Sequence, residues 1–174
     1  MFKNKTVVIV AGGRSMIGFD FNLLRGHNVI AVNRSFAFTQ PKVVCFWDGK
    51  FYEYYQDQLD TCGAKLVSIQ QGLPLHVRQY PPDAINGNVN NSGHFAIAVA
   101  LDMRAEWIIL LGFDMRGRET YYGYPSDWNR AENSEKIGAF DCYAGERIIN
   151  CTPNSALPQF PKMEITNCLK YFSI

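Results

Sequence analysis

Residues 90–105 read Asn-Asn-Ser-Gly-His-Phe-Ala-Ile-Ala-Val-Ala-Leu-Asp-Met-Arg-Ala, and residues 106–114 continue as Glu-Trp-Ile-Ile-Leu-Leu-Gly-Phe-Asp. This run joins a loop, a helix and a buried strand without a break. Ser92 stands where an N-cap belongs, ahead of small and apolar residues that favour a helix. The first amides of such a helix lack intrahelical partners and carry the positive end of its dipole, so the loop before it suits an anion. The strand that follows ends near Asp114, at the edge where open α/β sheets bind their ligands.

Working outward, β-branched and apolar runs predict strands over residues 6–11, 28–33, 43–47, 65–69 and 147–152, besides the one from Trp107. Residues 51–62 repeat apolar and aromatic side chains at helical spacing, and Gly63 is a fitting C′ stop. Residues 70–91 hold Gly72, Pro74, Pro81, Pro82 and Gly87 and read as a long loop. A short helix is expected around 130–137, and Pro153, Pro158 and Pro161 punctuate the tail. Strands alternating with helical segments predict an α/β fold, Rossmann-like, with a mostly parallel sheet and helices on both faces. No repeat or linker interrupts the chain, so residues 1–174 are expected to form a single domain.

The composition narrows the function classes. With 174 residues, 47% hydrophobic and 14% aromatic, the chain has material for a core that buries roughly 70% of the unfolded surface. Its net charge is +1, from 17 basic and 16 acidic residues, with no basic block. That argues against a nucleic-acid partner, which would require a clustered Lys/Arg footprint. Cys45, Cys62, Cys142, Cys151 and Cys168 are odd in number and form no CxxC pair, which predicts reduced thiols and no metal centre. The apolar run near the N-terminus is too short for a signal peptide or a membrane span, so a cytoplasmic location is expected.

Chemistry-bearing residues gather where the strands end. Ala11-Gly12-Gly13-Arg14-Ser15 follows the first strand; its glycines permit close backbone approach, Ser15 can cap or bind phosphate, and Arg14 can neutralise one. Asn33 ends the second strand and Asp48 follows the third, positions where either is also a common turn or cap residue. Ser92, Gly93 and Asp114 complete the set, and in a doubly wound sheet all these positions line one crevice. Of the three histidines, His27 and His76 lie in polar turns, while His94 falls in the first turn of the central helix. There His94 can meet an anion or act as an acid–base group, as can Asp114. Tyr121, Tyr122 and Tyr124, with Trp128, form an aromatic cluster after Asp114, suited to stacking on a base or donating to phosphate. Asn154 and Ser155 follow the last strand on the same side. The convergence predicts a nucleotide or nucleotide-derived ligand and no separate cofactor. HExxH and Gx-Ser-xG patterns do not occur.

Val-Ile-Val-Ala-Gly-Gly-Arg-Ser at 8–15, Ala-Val-Asn-Arg-Ser-Phe at 31–36 and Phe-Trp-Asp-Gly-Lys-Phe-Tyr at 46–52 resemble segments of the bacterial sialyltransferases of glycosyltransferase family 42. So do Asn-Ser-Gly-His at 91–94, Leu-Gly-Phe-Asp at 111–114 and Cys-Thr-Pro-Asn-Ser-Ala-Leu at 151–157. The related MptE-like group is similar in the same places, and small phage-encoded members are nearest in size. The resemblance implies a nucleotide-sugar donor held by Gly12, Gly13, Ser15, Asn33, Asp48, Ser92 and Gly93, with Tyr121, Tyr122 or Tyr124 on its phosphate. It also implies a lid histidine as base, yet His94 is the last histidine of this chain, and Arg14 stands where the family carries proline. Two functions follow as expectations. One is a binding protein, in the phage setting one that sequesters a nucleotide signal. The other is a glycosyltransferase-like enzyme using Asp48, Asp114 or His94 as its base. A homo-oligomer is compatible with either.

Overall fold

Residues 7–10, 29–32, 43–46 and 108–111 are buried without interruption, the pattern of strands covered on both faces. The structure, a computed structural model, describes residues 1–81, 91–117, 120–123 and 134–172. The strands are β1 (Thr6–Val10), β2 (Val29–Val32), β3 (Val43–Phe46), β4 (Lys65–Ser68), β5 (Arg78–Gln79), β6 (Trp107–Leu111) and β7 (Ile148–Asn150). They form one sheet in the order β5-β4-β3-β2-β1-β6-β7, and every adjacent pair is parallel. The helices are α1 (Gly49–Thr61), α2 (Ser92–Asp102) and α3 (Ile165–Tyr171).

Side chains alternate across this sheet and build a core on each face. On one face Val7, Ile9, Ile30, Val43, Cys45, Ile108 and Leu110 pack with Phe95, Ile97 and Val99 of α2 and with Phe140 of the 3₁₀ helix Ser134–Tyr143. On the other, Val8, Val10, Ile109 and Leu111 meet Met16, Leu24 and Cys168 of α3. Farther along that second face, Ala31, Val44 and Phe46 meet Phe51, Tyr55 and Leu59 of α1. The α/β, Rossmann-like architecture with helices on both faces is therefore the one the sequence predicts.

Local differences have local causes. The stretch expected as a loop over 70–91 contains β5, whose two residues pair with Val67 and Ser68 and are too few to show periodicity. The proline-marked tail contains α3, which Glu164 caps by accepting from the Asn167 amide. Ile165, Cys168 and Leu169 give α3 its apolar i, i+3, i+4 edge, a signal outweighed in the sequence by the prolines around it. The short helix expected at 130–137 is the 3₁₀ helix Ser134–Tyr143 where it can be followed; residues 130–133 lie outside the described residues. Gly63 adopts φ +75° after α1, as a C′ residue should. No helix among the described residues is long and apolar enough to cross a membrane.

Because Ile30 is fully buried at the centre of the sheet, Ile30→Ala should cost about 2–5 kcal/mol. The wholly exposed Leu75 should tolerate serine within about 0.5 kcal/mol. Urea unfolding of the two variants measures both values.

Candidate functional site

At the centre of the sheet β1 has β2 on one side and β6 on the other, so the chain leaving β1 and the chain leaving β6 diverge. This is the switch point at which parallel α/β sheets open a crevice beyond the carboxyl ends of their strands. Gly12, Gly13 and Ser15 lie on its β1 side and Asp114 on its β6 side. Asn33 follows β2 in the left-handed region at φ +50°, a conformation asparagine tolerates better than most residues. Asp48 follows β3.

The two sides of the crevice are tied together. The Ser15 amide donates to Asp114 Oδ1 at 2.9 Å and the Ser15 hydroxyl to Oδ2 at 2.7 Å. The Gly13 amide donates to the Gly112 carbonyl at 2.8 Å. A Cβ on Gly13 would fall on the Asp114 carboxylate, so glycine is required there by a side chain of the protein itself. Asp114 thus holds the anion position at the first turn. In this arrangement the Ser15 amide and hydroxyl hydrogens are both given to the carboxylate, and Asp114 lies three residues beyond the end of β6.

An aromatic cover sits over this turn. The Tyr121 amide donates to the Gly12 carbonyl at 3.0 Å. A Cβ on Gly12 would come within 2.6 Å of the Tyr122 hydroxyl oxygen. Arg34, from the turn after β2, donates through Nη1 to the Tyr122 carbonyl at 2.8 Å. Its Nε is shielded from solvent and meets no acceptor among the described residues. Arg34 was not singled out in the sequence; its only signal is its place next to Asn33. Arg14 is exposed at the first turn. Tyr124 and Trp128 lie outside the described residues.

The helix start differs from its expected form. Asn91, not Ser92, is the N-cap of α2, and its side chain accepts from the His94 amide at 2.8 Å. Asparagine caps at least as well as serine, so both assignments were open to a reader of residues 91–92. The Ser92 and Gly93 amides remain at the positive end of α2, where no intrahelical acceptor exists for them. A Cβ on Gly93 would approach Phe113 Cε1 to 2.9 Å, so this glycine also makes room for the side chain leaving β6.

His94 is 1% exposed and is packed against the rings of Phe140 and Tyr143. Nε2 lies 3.3 Å from the Cys142 thiol, and Nδ1 has no partner among the described residues. Burial pulls its pKa down to about 4, so the ring is neutral at pH 7. Burial also pushes the Cys142 thiol up, which keeps that pair uncharged.

Several other positions carry structural duties. Asp48 caps α1 by accepting from the Lys50 amide at 2.9 Å. The buried Ser155 hydroxyl donates to the Phe113 carbonyl and accepts from the Leu157 amide at 3.2 Å, tying the chain after β7 to the chain after β6. Asn154, at φ +53°, accepts from Arg116 Nε through its carbonyl at 3.1 Å. Asn154 also borders a cleft of about 370 Å³ at the carboxyl end of β7, lined in addition by Thr152, Lys162, Met163 and Glu164. Among the described residues no group of three or more His, Cys, Asp or Glu side chains is placed to hold a metal ion.

No protein-family model matches the chain, and no curated protein matches it either. Among solved structures it is similar to the MAf glycosyltransferase from Magnetospirillum magneticum AMB-1, with a TM-score of 0.67 at 13% identity. The match covers 95% of this chain and 34% of that one, so the chain spans about a third of the larger protein. At that identity the likeness concerns the fold. The chain has a glycosyltransferase-like fold, and the narrower sialyltransferase resemblance does not follow from it.

His94 makes stability depend on pH. Its folded-state pKa of about 4 lies below the ordinary value of about 6.5, so between these values the unfolded chain binds more protons. Stability should therefore be complete above pH 6.5 and fall towards pH 4, by at most about 1.4 kcal/mol per pH unit from this group. Urea unfolding at a series of pH values checks this, and His94→Gln should flatten the slope in that window.

Proposed function

We propose that the protein binds a nucleotide or nucleotide-derived ligand in the crevice between the carboxyl ends of β1 and β6 and releases it unchanged. The observation that carries this reading is the Gly12 turn covered by the Tyr122 hydroxyl, with Arg34 on the Tyr122 carbonyl and over the Tyr55 ring, its shielded Nε without an acceptor among the described residues. A guanidinium with an unspent donor, tied to the tyrosine whose hydroxyl covers a glycine turn, suits a phosphate. The Ser92 and Gly93 amides add donors at a helix start. Gly13 and Ser15 act in this reading through the Asp114 clamp that shapes the turn, and Asn33, in the turn after β2, is the residue this reading assigns to the ribose.

Capture is favoured over transfer by the state of the two candidate bases. Asp114 spends both oxygens on Ser15, and His94 is neutral and enclosed by aromatic rings. A general base must reach the proton it removes; His94 is enclosed, and the half-buried Asp114 is held against Ser15 through both of its oxygens. In this reading the protein is a binder of the kind that sequesters a nucleotide signal.

A second reading, a glycosyltransferase-like enzyme using a nucleotide-sugar, draws on the fold of the MAf glycosyltransferase and on the cleft beside β7. Strands lie about 4.8 Å apart, so that cleft is roughly 10 Å from β1, within reach of a sugar attached to a nucleotide.

Calorimetry with nucleoside monophosphates, diphosphates and nucleotide-sugars should find a one-to-one ligand, and mass spectrometry after heat denaturation should recover it intact. Loss of the donor in proportion to protein concentration would move the assignment to the transferase. Arg34→Gln should weaken phosphate-bearing ligands by about tenfold or more, since a charge-assisted hydrogen bond contributes about 1.5–3 kcal/mol. Unchanged affinity in that variant would place the ligand elsewhere.

A further inference from the structure

We propose that Phe38 is the stacking platform for the planar heterocycle of the ligand, so that the site takes a nucleobase by its face and not by the pattern of its edge. The proposal rests on the nucleotide-binding reading and adds to it where the base lies. Phe38 follows the turn Asn33–Ala37 that leaves β2, on the same sheet edge as the Gly12 turn. It is 42% exposed and is the only phenylalanine among the exposed large hydrophobic side chains of the described residues.

A solvent-facing phenyl ring is ordinarily loose, and this one is not. Phe21, Tyr121 and Tyr122 hold it, with ring centroids at 5.8, 5.2 and 6.4 Å. The Phe38 and Tyr122 rings are within 13° of parallel. Tyr122 is the residue whose hydroxyl covers Gly12 and whose carbonyl accepts from Arg34. Phe38 therefore stands one ring away from the proposed phosphate position, held at a fixed tilt with part of its surface open. The Phe38 and Tyr122 ring centroids lie 6.4 Å apart, so Phe38 is joined to the Gly12 turn through Tyr122.

Stacking on an aromatic face is tolerant of base identity, because every base presents a π-face. The rings that hold Phe38 are those of Phe21, Tyr121 and Tyr122, so in this proposal the base is held by its face. A purine covers more of the ring than a pyrimidine and should bind more tightly. The chemical class implied is a nucleoside phosphate of relaxed base preference, with the phosphate and ring read by separate groups.

The test measures AMP, CMP and ribose 5-phosphate by calorimetry against wild type, Phe38→Ala, Phe38→Leu and Phe38→Trp. Phe38→Leu keeps apolar bulk without a ring, and melting temperatures report folding. Wild type should bind AMP more tightly than CMP and both more tightly than ribose 5-phosphate. Alanine and leucine should each weaken AMP by roughly 5- to 150-fold and leave ribose 5-phosphate unchanged. Tryptophan should retain AMP binding, and its fluorescence should be quenched on addition of AMP. Wild-type affinity for AMP in Phe38→Leu overturns the platform alone, whereas failure of wild type to bind any of the three overturns the nucleotide reading with it. Equal losses for AMP and ribose 5-phosphate would make Phe38 a packing residue. A wild-type dimer in sedimentation that Phe38→Ala dissolves would make the ring a subunit contact.

Discussion

The Asp114 carboxylate fixes the geometry of the crevice between the ends of β1 and β6. It crosses from the β6 side to take both the amide and the hydroxyl of Ser15, and its own backbone carbonyl accepts from the Ala156 amide at 2.9 Å. One residue thereby joins the chain segments that leave β1, β6 and β7. Charge-assisted hydrogen bonds of this kind are about twice as strong as neutral ones, so the clamp is stronger than an ordinary turn contact. Gly13 has no side chain because the carboxylate occupies that space. The aromatic cover then docks on Gly12, the one part of the turn left unclamped.

Much of this was legible because burial imposes simple patterns. A strand covered on both faces must be apolar throughout, and β1, β2, β3 and β6 are. The helix α2 announces itself by small and apolar residues after a capping side chain. What the pattern could not convey was pairing across long distances. Asp114 reads as an unoccupied acid at a strand end, and only the folded chain shows that Ser15, ninety-nine residues away, consumes it. His94 reads as a polar helix-start residue until Phe140 and Tyr143 arrive from the far side to enclose it. Arg34 and Phe38 were passed over because isolated Arg and Phe residues in a turn carry no periodic signal. Their significance comes from Tyr122, which reaches them across the crevice. The placement of Gly12, Asn33 and Ser92 along the carboxyl edge followed from topology, while their contacts with a ligand belong to the proposal.

The chemistry of the site leans on neutral groups. His94 and Cys142 face each other uncharged, and the Tyr143 hydroxyl is pushed well above its ordinary range by burial. Proton transfer near pH 7 needs a group whose pKa lies near that pH, and these have been moved away from it in both directions. The burial that disables His94 and Tyr143 as acid and base makes them good filling for the core around the start of α2. The arginines at this edge of the sheet are Arg14, exposed at the first turn, and Arg34, bonded to the Tyr122 carbonyl.

The two ends of the sheet set a limit on how copies of this chain can meet. An uncovered edge strand offers unpaired amides and carbonyls to any extended partner, the usual beginning of strand-by-strand association. At the β7 end, the segment around Lys162 lies alongside Asn150, with the Asn150 amide donating to the Pro161 carbonyl and the Met163 amide to the Asn150 carbonyl. At the other end β5 is only two residues long. One margin is thus occupied by a proline-led strap and the other is too short to template a neighbour. Among the described residues, a second copy that would extend the sheet has little to grip at either margin.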